Sequence, residues 1–176
     1  MELCDVKPRI WRRIRVPGDI DLGRLSNVLL CAMGWSNTHL HEFIAGGVRI
    51  GDSEVDDFDD FDDIPHVIEE RKVKLGDVVS EVGDRLFYVY DLGDDWRHEI
   101  CVEQVVTDEK CSRLPHCLAG QRACPPEDCG GIPGYEHLLE AVGDRKHPDH
   151  IEMLHWIGGS FDAETFSVAD VNRRLS

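Results

Sequence analysis

The sequence predicts an α+β fold: a single compact domain over residues 1–176, with a mostly antiparallel sheet, an N-terminal helix and C-terminal helices. Strand-like alternation dominates the first two thirds of the chain and helical spacing the rest, without the strand–helix repeat of a parallel sheet. An apolar fraction of 41% with four tryptophans provides for one buried core, and the length is short for two.

The first elements are a strand and a helix. Residues 8–16 alternate apolar and basic side chains, which predicts a strand whose basic residues face solvent. A helix is expected from Leu22 to Gly34, because apolar residues recur there at i, i+3 and i+4. Asp21 is its expected N-cap and Gly34 its expected C-cap.

The middle of the chain predicts two strand pairs separated by an acidic loop. Residues 39–44 and 48–50 form the first pair, joined by a Gly-Gly turn. Residues 52–63 hold eight acids and predict a solvated loop. Residues 86–91 and 96–104 alternate well and are joined by Leu-Gly-Asp-Asp, so they predict a hairpin.

The last third predicts an irregular connection followed by helices. Residues 110–133 are rich in cysteine and proline and are expected to form a loop. Pro133 suits the first turn of a helix that runs to about Val142. Further helices are expected near residues 148–157 and 167–175.

The overall composition limits which partners the protein can bind and in which compartment it is expected. A net charge of −16 disfavours a broad phosphate-binding surface and so argues against direct nucleic-acid binding. The sequence contains no apolar run near 18 residues and no signal-peptide pattern, so a cytoplasmic protein without a membrane span is expected. An odd number of cysteines, seven, predicts reduced thiols in that compartment.

The densest motif is the segment 122–135, Arg-Ala-Cys-Pro-Pro-Glu-Asp-Cys-Gly-Gly-Ile-Pro-Gly-Tyr. Its prolines and glycines predict a rigid loop, a place suited to recognition or chemistry. Cys111, Cys117, Cys124 and Cys129 could close a tetrahedral zinc site. The alternative is small thiols buried beneath a proline-braced loop, since the spacing lacks a Cys-x-x-Cys pair.

Two acids lie inside this loop. Glu127 and Asp128 could be metal ligands or an acid/base pair. The alternative is that they accept hydrogen bonds from backbone amides in the turn and at the start of the following helix.

The predicted hairpin carries a second group of polar residues. Asp91, Asp94, Asp95 and His98 cluster around its turn, beside aromatic residues. A divalent metal or a general base could be placed here. The alternative is a turn whose acids bond backbone amides, with His98 packed on an aromatic core.

Histidines form the remaining candidates. His39 and His41 share a strand face, and two imidazoles at i, i+2 can chelate one metal if a third ligand comes from elsewhere. His147, His150 and His155 show no i, i+4 pairing and are interpreted as surface or capping groups.

Five motifs stand together in one order along the chain: Pro8–Pro17, Ala32–Trp35, His39–Phe43, Tyr90–His98 and Arg122–Tyr135. In this combination the sequence resembles the plasmid pRiA4b ORF-3-like family, some of whose members look like resolvase-like passenger proteins of insertion elements. The resemblance implies a compact α+β domain and a context in mobile elements. It implies no established activity.

These observations leave three hypotheses open. The first is a non-enzymatic accessory or protein-interaction module, with a protein as partner and an exposed apolar patch beside the loop. The second is a metal-dependent enzyme that uses Asp94, Asp95 and His98 with Glu127 and Asp128 in a shared pocket. The third is a zinc-stabilised structural domain, and zinc is the one cofactor that the sequence suggests.

Overall fold

The computed structural model describes residues 1–52, 67–107 and 114–176. Eight strands in these ranges form one sheet in the order β5-β4-β3-β6-β7-β1-β2-β8, in which only the β4–β5 pair is parallel. The strands are β1 Glu2–Leu3, β2 Trp11–Arg15, β3 His41–Ala45, β4 Val48–Gly51, β5 Ile68–Glu69, β6 Arg85–Tyr90, β7 Trp96–Cys101 and β8 His116–Gln121.

Helices accompany this sheet, and a 3-10 turn, Glu70–Lys72, follows β5 directly. They are α1 Leu22–Met33, α2 Leu75–Val78, α3 Gly131–Gly143, α4 His150–Trp156 and α5 Val168–Arg174. The predicted α+β fold, with an N-terminal helix and C-terminal helices on a mostly antiparallel sheet, is confirmed. Among the described residues, no helix combines the length and apolar character needed to cross a membrane.

The caps predicted for α1 are confirmed. The Asp21 side chain accepts a hydrogen bond from Arg24 N at 2.9 Å, and Gly34 ends the helix with a φ of 110°. The face of α1 formed by Leu22, Leu25 and Leu29 is buried, and it belongs to the core that covers the sheet. Capping and apolar spacing are local signals, which is why this helix could be predicted closely.

The predicted hairpin is also confirmed and forms the centre of the sheet. β6 and β7 pair in antiparallel register, from Tyr90 opposite Trp96 to Arg85 opposite Cys101. The alternate side chains of β6, including Tyr88 and Tyr90, are fully buried. The hairpin therefore brings the acidic turn at residues 91–95 to the end of two core strands.

The connection predicted over residues 110–133 contains a strand that the sequence did not indicate. β8 pairs with β2 along its length and buries Cys117. The strand reads His-Cys-Leu-Ala-Gly-Gln, and its small residues have weak intrinsic strand preference. This segment becomes a strand because it pairs with β2, which lies about 100 residues earlier in the sequence.

The expectation of a wholly solvent-facing basic strand is wrong at Arg12, which is 2% exposed. Its guanidinium donates to the carbonyl oxygens of Ala32, Gln121 and Arg122, each at 2.9 Å, and lies 4.2 Å from the Phe166 ring centroid. Burial lowers the pKa of Arg12 to about 10. The side chain ties α1 to the end of β8, where carbonyls rather than carboxylates satisfy its charge.

Candidate functional site

The loop at residues 122–130 meets the β6–β7 hairpin beside the chain that enters β3. Glu127 makes the connection. Its Oε1 accepts hydrogen bonds from Ser36 N at 2.7 Å and Ser36 Oγ at 3.0 Å. The Tyr90 hydroxyl lies 3.2 Å from both Glu127 oxygens and donates to this carboxylate. Glu127 thus faces the hairpin and accepts from the amide of Ser36, which lies outside its own turn and outside the following helix. A role as metal ligand or in an acid/base pair stays a prediction.

His39 lies at the centre of this junction, with carboxylates on both sides of its ring. Its Nδ1 is 3.5 Å from Asp91 Oδ2. Its Nε2 is 3.1 Å from Asp128 Oδ1 and 3.7 Å from Glu127 Oε2. Nε2 is buried and has no hydrogen bond of good geometry within the described residues. We call His39, Asp91 and Asp128, together with the neighbouring Glu127, the His39 cluster.

The His39 cluster has dimensions suited to a divalent cation. His39, Asp91 and Asp128 each offer one ligand atom, and these atoms lie within 4.8 Å of one another. Ligands bound to one cation at 2.0–2.2 Å lie roughly 3 to 4 Å apart. The Asp128 side chain is 71% exposed, so one side of the cluster is open to solvent and to a further ligand.

Asp91 is positioned by its own turn. Its Oδ1 accepts hydrogen bonds from Gly93 N at 3.0 Å and Asp94 N at 3.2 Å, which leaves Oδ2 directed toward His39. The side chain is only 13% exposed. A carboxylate held in this way needs little reordering to bind a cation.

The other hairpin residues predicted for the site lie in three different environments. Asp94 Oδ2 accepts a hydrogen bond from Gly130 N at 3.2 Å. Asp95 is 63% exposed and 3.8 Å from Arg97. His98 is fully buried. The carboxylates that lie around His39 are those of Asp91, Glu127 and Asp128, and not those of Asp94 or Asp95.

His98 belongs to the aromatic core. Its ring lies edge-on to Trp35 at 5.4 Å, and its Nδ1 is 3.3 Å from the Tyr88 carbonyl oxygen. Burial lowers the pKa of His98 to about 4, so the ring is neutral at pH 7 and Nδ1 donates to this carbonyl. The sequence offered the alternative that His98 packs on an aromatic core, and its position in the structure agrees with that alternative.

Gly131 sets the distance between the loop and the hairpin. Its φ is +66°, and a Cβ built on it would lie 2.8 Å from Asp94 O. A side chain at this position would push the loop away from the turn and would strain the backbone. The Gly-Gly pair after Cys129 is therefore required by the contact that brings Asp128 to His39.

Burial opposes thiolate formation at the described cysteines of this connection, Cys117, Cys124 and Cys129. Cys117 is buried on β8, and burial raises the pKa of Cys124 and of Cys129 to about 12, so both stay protonated. Cys111 lies outside the described residues. The groups of three close metal-ligating side chains in the described ranges contain no cysteine. A zinc site that includes Cys111 stays a prediction.

A cleft of about 670 Å³ adjoins the His39 cluster between α1 and the β3–β4 pair. His39 and His41 both line it, and His41 Nε2 lies 2.8 Å from Glu70 Oε2. Glu70 is 5% exposed, which makes this a mostly buried polar pair at the cleft wall.

The position of Glu70 depends on a close approach to α1. A Cβ on Gly23 would lie 2.8 Å from Glu70 Oε1, so a larger residue on the helix would displace this carboxylate. The His41 ring also packs at 5.7 Å from Tyr88, whose hydroxyl is 2.8 Å from Ser26 Oγ. Burial raises the pKa of Tyr88, so this hydroxyl stays protonated.

Sequence reasoning identified both histidines and the acids Asp91 and Asp128, but not Glu70 and not which acid meets which histidine. His39 and His41 could have chelated one metal with a third ligand from elsewhere. In the structure each meets different carboxylates: His39 meets Asp91 and Asp128, and His41 meets Glu70. Glu70 comes from a 3-10 turn that carries no motif. It stands among charged residues, Glu69, Arg71 and Lys72, so nothing local in the sequence distinguishes it.

Comparison with known proteins gives the class of protein. The family described as plasmid pRiA4b ORF-3-like protein matches residues 1–170, and the chain belongs to this family. The resemblance carried by the five sequence motifs is thereby confirmed.

Two relatives show how far the similarity extends. Uncharacterized protein y4hQ of Sinorhizobium fredii (strain NBRC 101917 / NGR234) is 38% identical over 175 residues, covering 98% of this chain and 87% of that protein. The crystal structure of MM3350 from Methanosarcina mazei Go1, a protein of unknown function, has a TM-score of 0.83 at 31% identity, covering 96% of this chain and 93% of that one. The family is thus shared with proteins of uncharacterised function.

Proposed function

We propose that this chain is a divalent-cation-binding domain and that His39, Asp91 and Asp128 hold the cation. The observation that carries the proposal is the presence of three ligand atoms within 4.8 Å of one another, at the junction of β3, the hairpin turn and the 122–130 loop. One imidazole nitrogen with carboxylate oxygens suits Zn²⁺ or Mn²⁺.

Electrostatics supports a cation at this position. Three carboxylates surround His39, so the group carries three negative charges against at most one positive charge. Like charges this close disfavour one another, most of all for the partly buried Asp91. A divalent cation offsets two of these charges.

The adjoining cleft favours an enzyme over a purely structural cation site. His39 belongs to the cleft wall, and so does the His41–Glu70 pair. A bound cation would supply Lewis-acid polarisation of water or of a substrate oxygen. In such an enzyme His41, with Glu70 at 2.8 Å, would be the candidate acid/base pair for a small polar substrate in this cleft.

The test is a calorimetric titration of the chelator-treated, untagged protein with MnCl2 and with ZnCl2. Asp91→Asn keeps an oxygen for the turn amides but loses the charge toward His39, and it should weaken one binding event by about 10- to 100-fold. Asp95→Asn is the matched control, because Asp95 lies in the same turn and outside the cluster. Equal affinities in the two variants would overturn the proposal.

A non-enzymatic accessory or protein-interaction module is the second candidate. Leu40 and Leu92 are 49% and 47% exposed and line the cleft beside the His39 cluster, which supports a surface for a protein partner. Leu40→Ser with Leu92→Ser should then abolish capture of a specific partner without changing cation affinity. A partner retained by this double variant would count against the surface. A link to mobile elements stays an expectation from the family resemblance.

A further inference from the structure

We infer a second metal site, independent of the His39 cluster, that is formed by His137, His147 and Asp149 and takes a borderline transition-metal ion such as Zn²⁺ or Ni²⁺. These residues offer one ligand atom each within 4.8 Å of one another. We call them the α3–α4 cluster, because His137 lies on α3 while His147 and Asp149 precede α4.

The distances converge on one oxygen. His137 Nε2 is 3.3 Å from Asp149 Oδ2, and His147 Nδ1 is 4.0 Å from the same atom. The two imidazole rings are 5.4 Å apart and inclined at 69°. Two nitrogens and one oxygen at these separations can occupy neighbouring positions around a single ion after small side-chain rotations.

The backbone around the cluster is already ordered. Asp144 Oδ1 accepts from Lys146 N at 2.9 Å, and its carbonyl accepts from His147 N at 2.9 Å. His150 Nδ1 lies 2.8 Å from the Ala141 carbonyl oxygen, which ties the start of α4 back to α3. His150 thus has the capping role expected from the sequence. His147 instead lies beside His137 and Asp149.

One histidine already has the form that a metal requires. Asp149 N donates to His147 Nδ1 at 3.1 Å, so this nitrogen carries a lone pair and not a proton. A cation would take this lone pair in place of the amide.

The donor set indicates the kind of metal. Two imidazoles with one carboxylate suit Zn²⁺, Ni²⁺, Cu²⁺ or Fe²⁺ better than Mg²⁺ or Ca²⁺, which prefer oxygen ligands. His137 and Asp149 are 45% and 43% exposed, so water or an outside group can complete the coordination. A bound ion would link α3 to α4 and stabilise this helical pair.

The experiment titrates the full, untagged chain with ZnCl2 and NiCl2 and follows histidine ring resonances by NMR. His137 and His147 signals should shift together, and His137→Ala should weaken this binding event by about 10- to 100-fold. His155→Ala is the matched control, since His155 is an exposed histidine on α4 outside the cluster. Equal zinc affinity in these two variants, or ring signals that do not move, would overturn the inference.

The two sites can be separated in the same titrations. Asp91→Asn should weaken the event at the His39 cluster and leave the His137 and His147 shifts intact. His137→Ala should do the reverse. A variant that weakens binding at one site therefore tests the proposal for that site and leaves the other proposal unaffected.

Discussion

His39 and His98 pack against the two rings of one aromatic pair, yet they have opposite surroundings. His98 lies against Trp35, and His39 lies against Tyr90, which stacks on Trp35 at 5.0 Å. His98 is fully buried and bonds a backbone carbonyl. His39 is 26% exposed and faces three carboxylates.

The difference shows that burial, not residue type, separates the surroundings of these two histidines. Desolvation without a nearby carboxylate holds His98 neutral and makes it part of the core. Partial exposure beside carboxylates leaves His39 within reach of a cation, as proposed above. From the sequence, His98 was a candidate for the enzyme site, and His39 was one of two imidazoles that needed a third ligand from elsewhere.

The largest effect expected from this contrast is a pH dependence of stability that comes from His98. Its pKa is lowered to about 4 in the folded protein, against an ordinary value of 6.5. The unfolded chain therefore binds the proton first as the pH falls. Stability present above pH 6.5 should be lost between pH 6.5 and 4, by up to about 3 kcal/mol.

Urea unfolding at several pH values from 7.5 to 4.5 measures this dependence. His98→Gln should flatten the pH dependence in that window, whereas His39→Ala should leave the His98 contribution in place. The same pH slope in His98→Gln and in the unaltered protein would contradict the assignment.

A smaller effect is expected where the loop meets the hairpin. Gly131→Ala introduces a Cβ 2.8 Å from Asp94 O at a φ of +66°, so it should cost roughly 2 kcal/mol. It should also weaken cation binding, because it shifts Asp128 away from His39 without touching His98. Calorimetric titration and urea unfolding measure the two consequences.

Gly143→Ala is the control for this substitution. Gly143 ends the same helix, and a Cβ there meets nothing within 4 Å among the described residues. Its replacement should be neutral or stabilising by up to about 1 kcal/mol. Similar losses in both variants would show that the junction is not the cause.

The smallest effect tests the hydroxyl that joins the aromatic pair to the His39 cluster. Tyr90→Phe keeps the ring against Trp35 but removes the bonds to Glu127 at 3.2 Å and from Thr38 N at 3.1 Å. The loss should be about 1 kcal/mol in the free energy of unfolding, measured in urea.

Tyr135→Phe provides the comparison. The Tyr135 hydroxyl is buried and has no hydrogen-bond partner in the described part of the chain, so its removal should be neutral or stabilising. A larger loss at Tyr135 than at Tyr90 would contradict the role given to the Tyr90 hydroxyl.

Much of the fold followed from local signals. The caps of α1, the alternation in β6 and β7 and the turn between them predict their elements from neighbouring residues alone. β8 did not follow, because its pairing with β2 overrides a weak local preference. Arg12 was misplaced for a related reason, since only the end of α1 and the end of β8 make its buried position favourable.

The site was predicted in part. The rigid loop with Glu127 and Asp128 was identified as a place for chemistry, and it does meet the hairpin through His39. The acid that completes the group is Asp91 rather than Asp94 or Asp95. The turn selects among these aspartates by directing one oxygen of Asp91 at backbone amides and the other at His39.

The sequence by itself determined the α+β class, the family and the loop that carries the acids, because each depends on residues close together in the chain. Only the tertiary structure decided which groups meet: His39 with Asp91 and Asp128, and His41 with Glu70. The physical reason is that charge, burial and metal affinity depend on distances of a few ångströms between segments far apart in sequence. Such distances are set by strand pairing and helix packing, which no local pattern encodes.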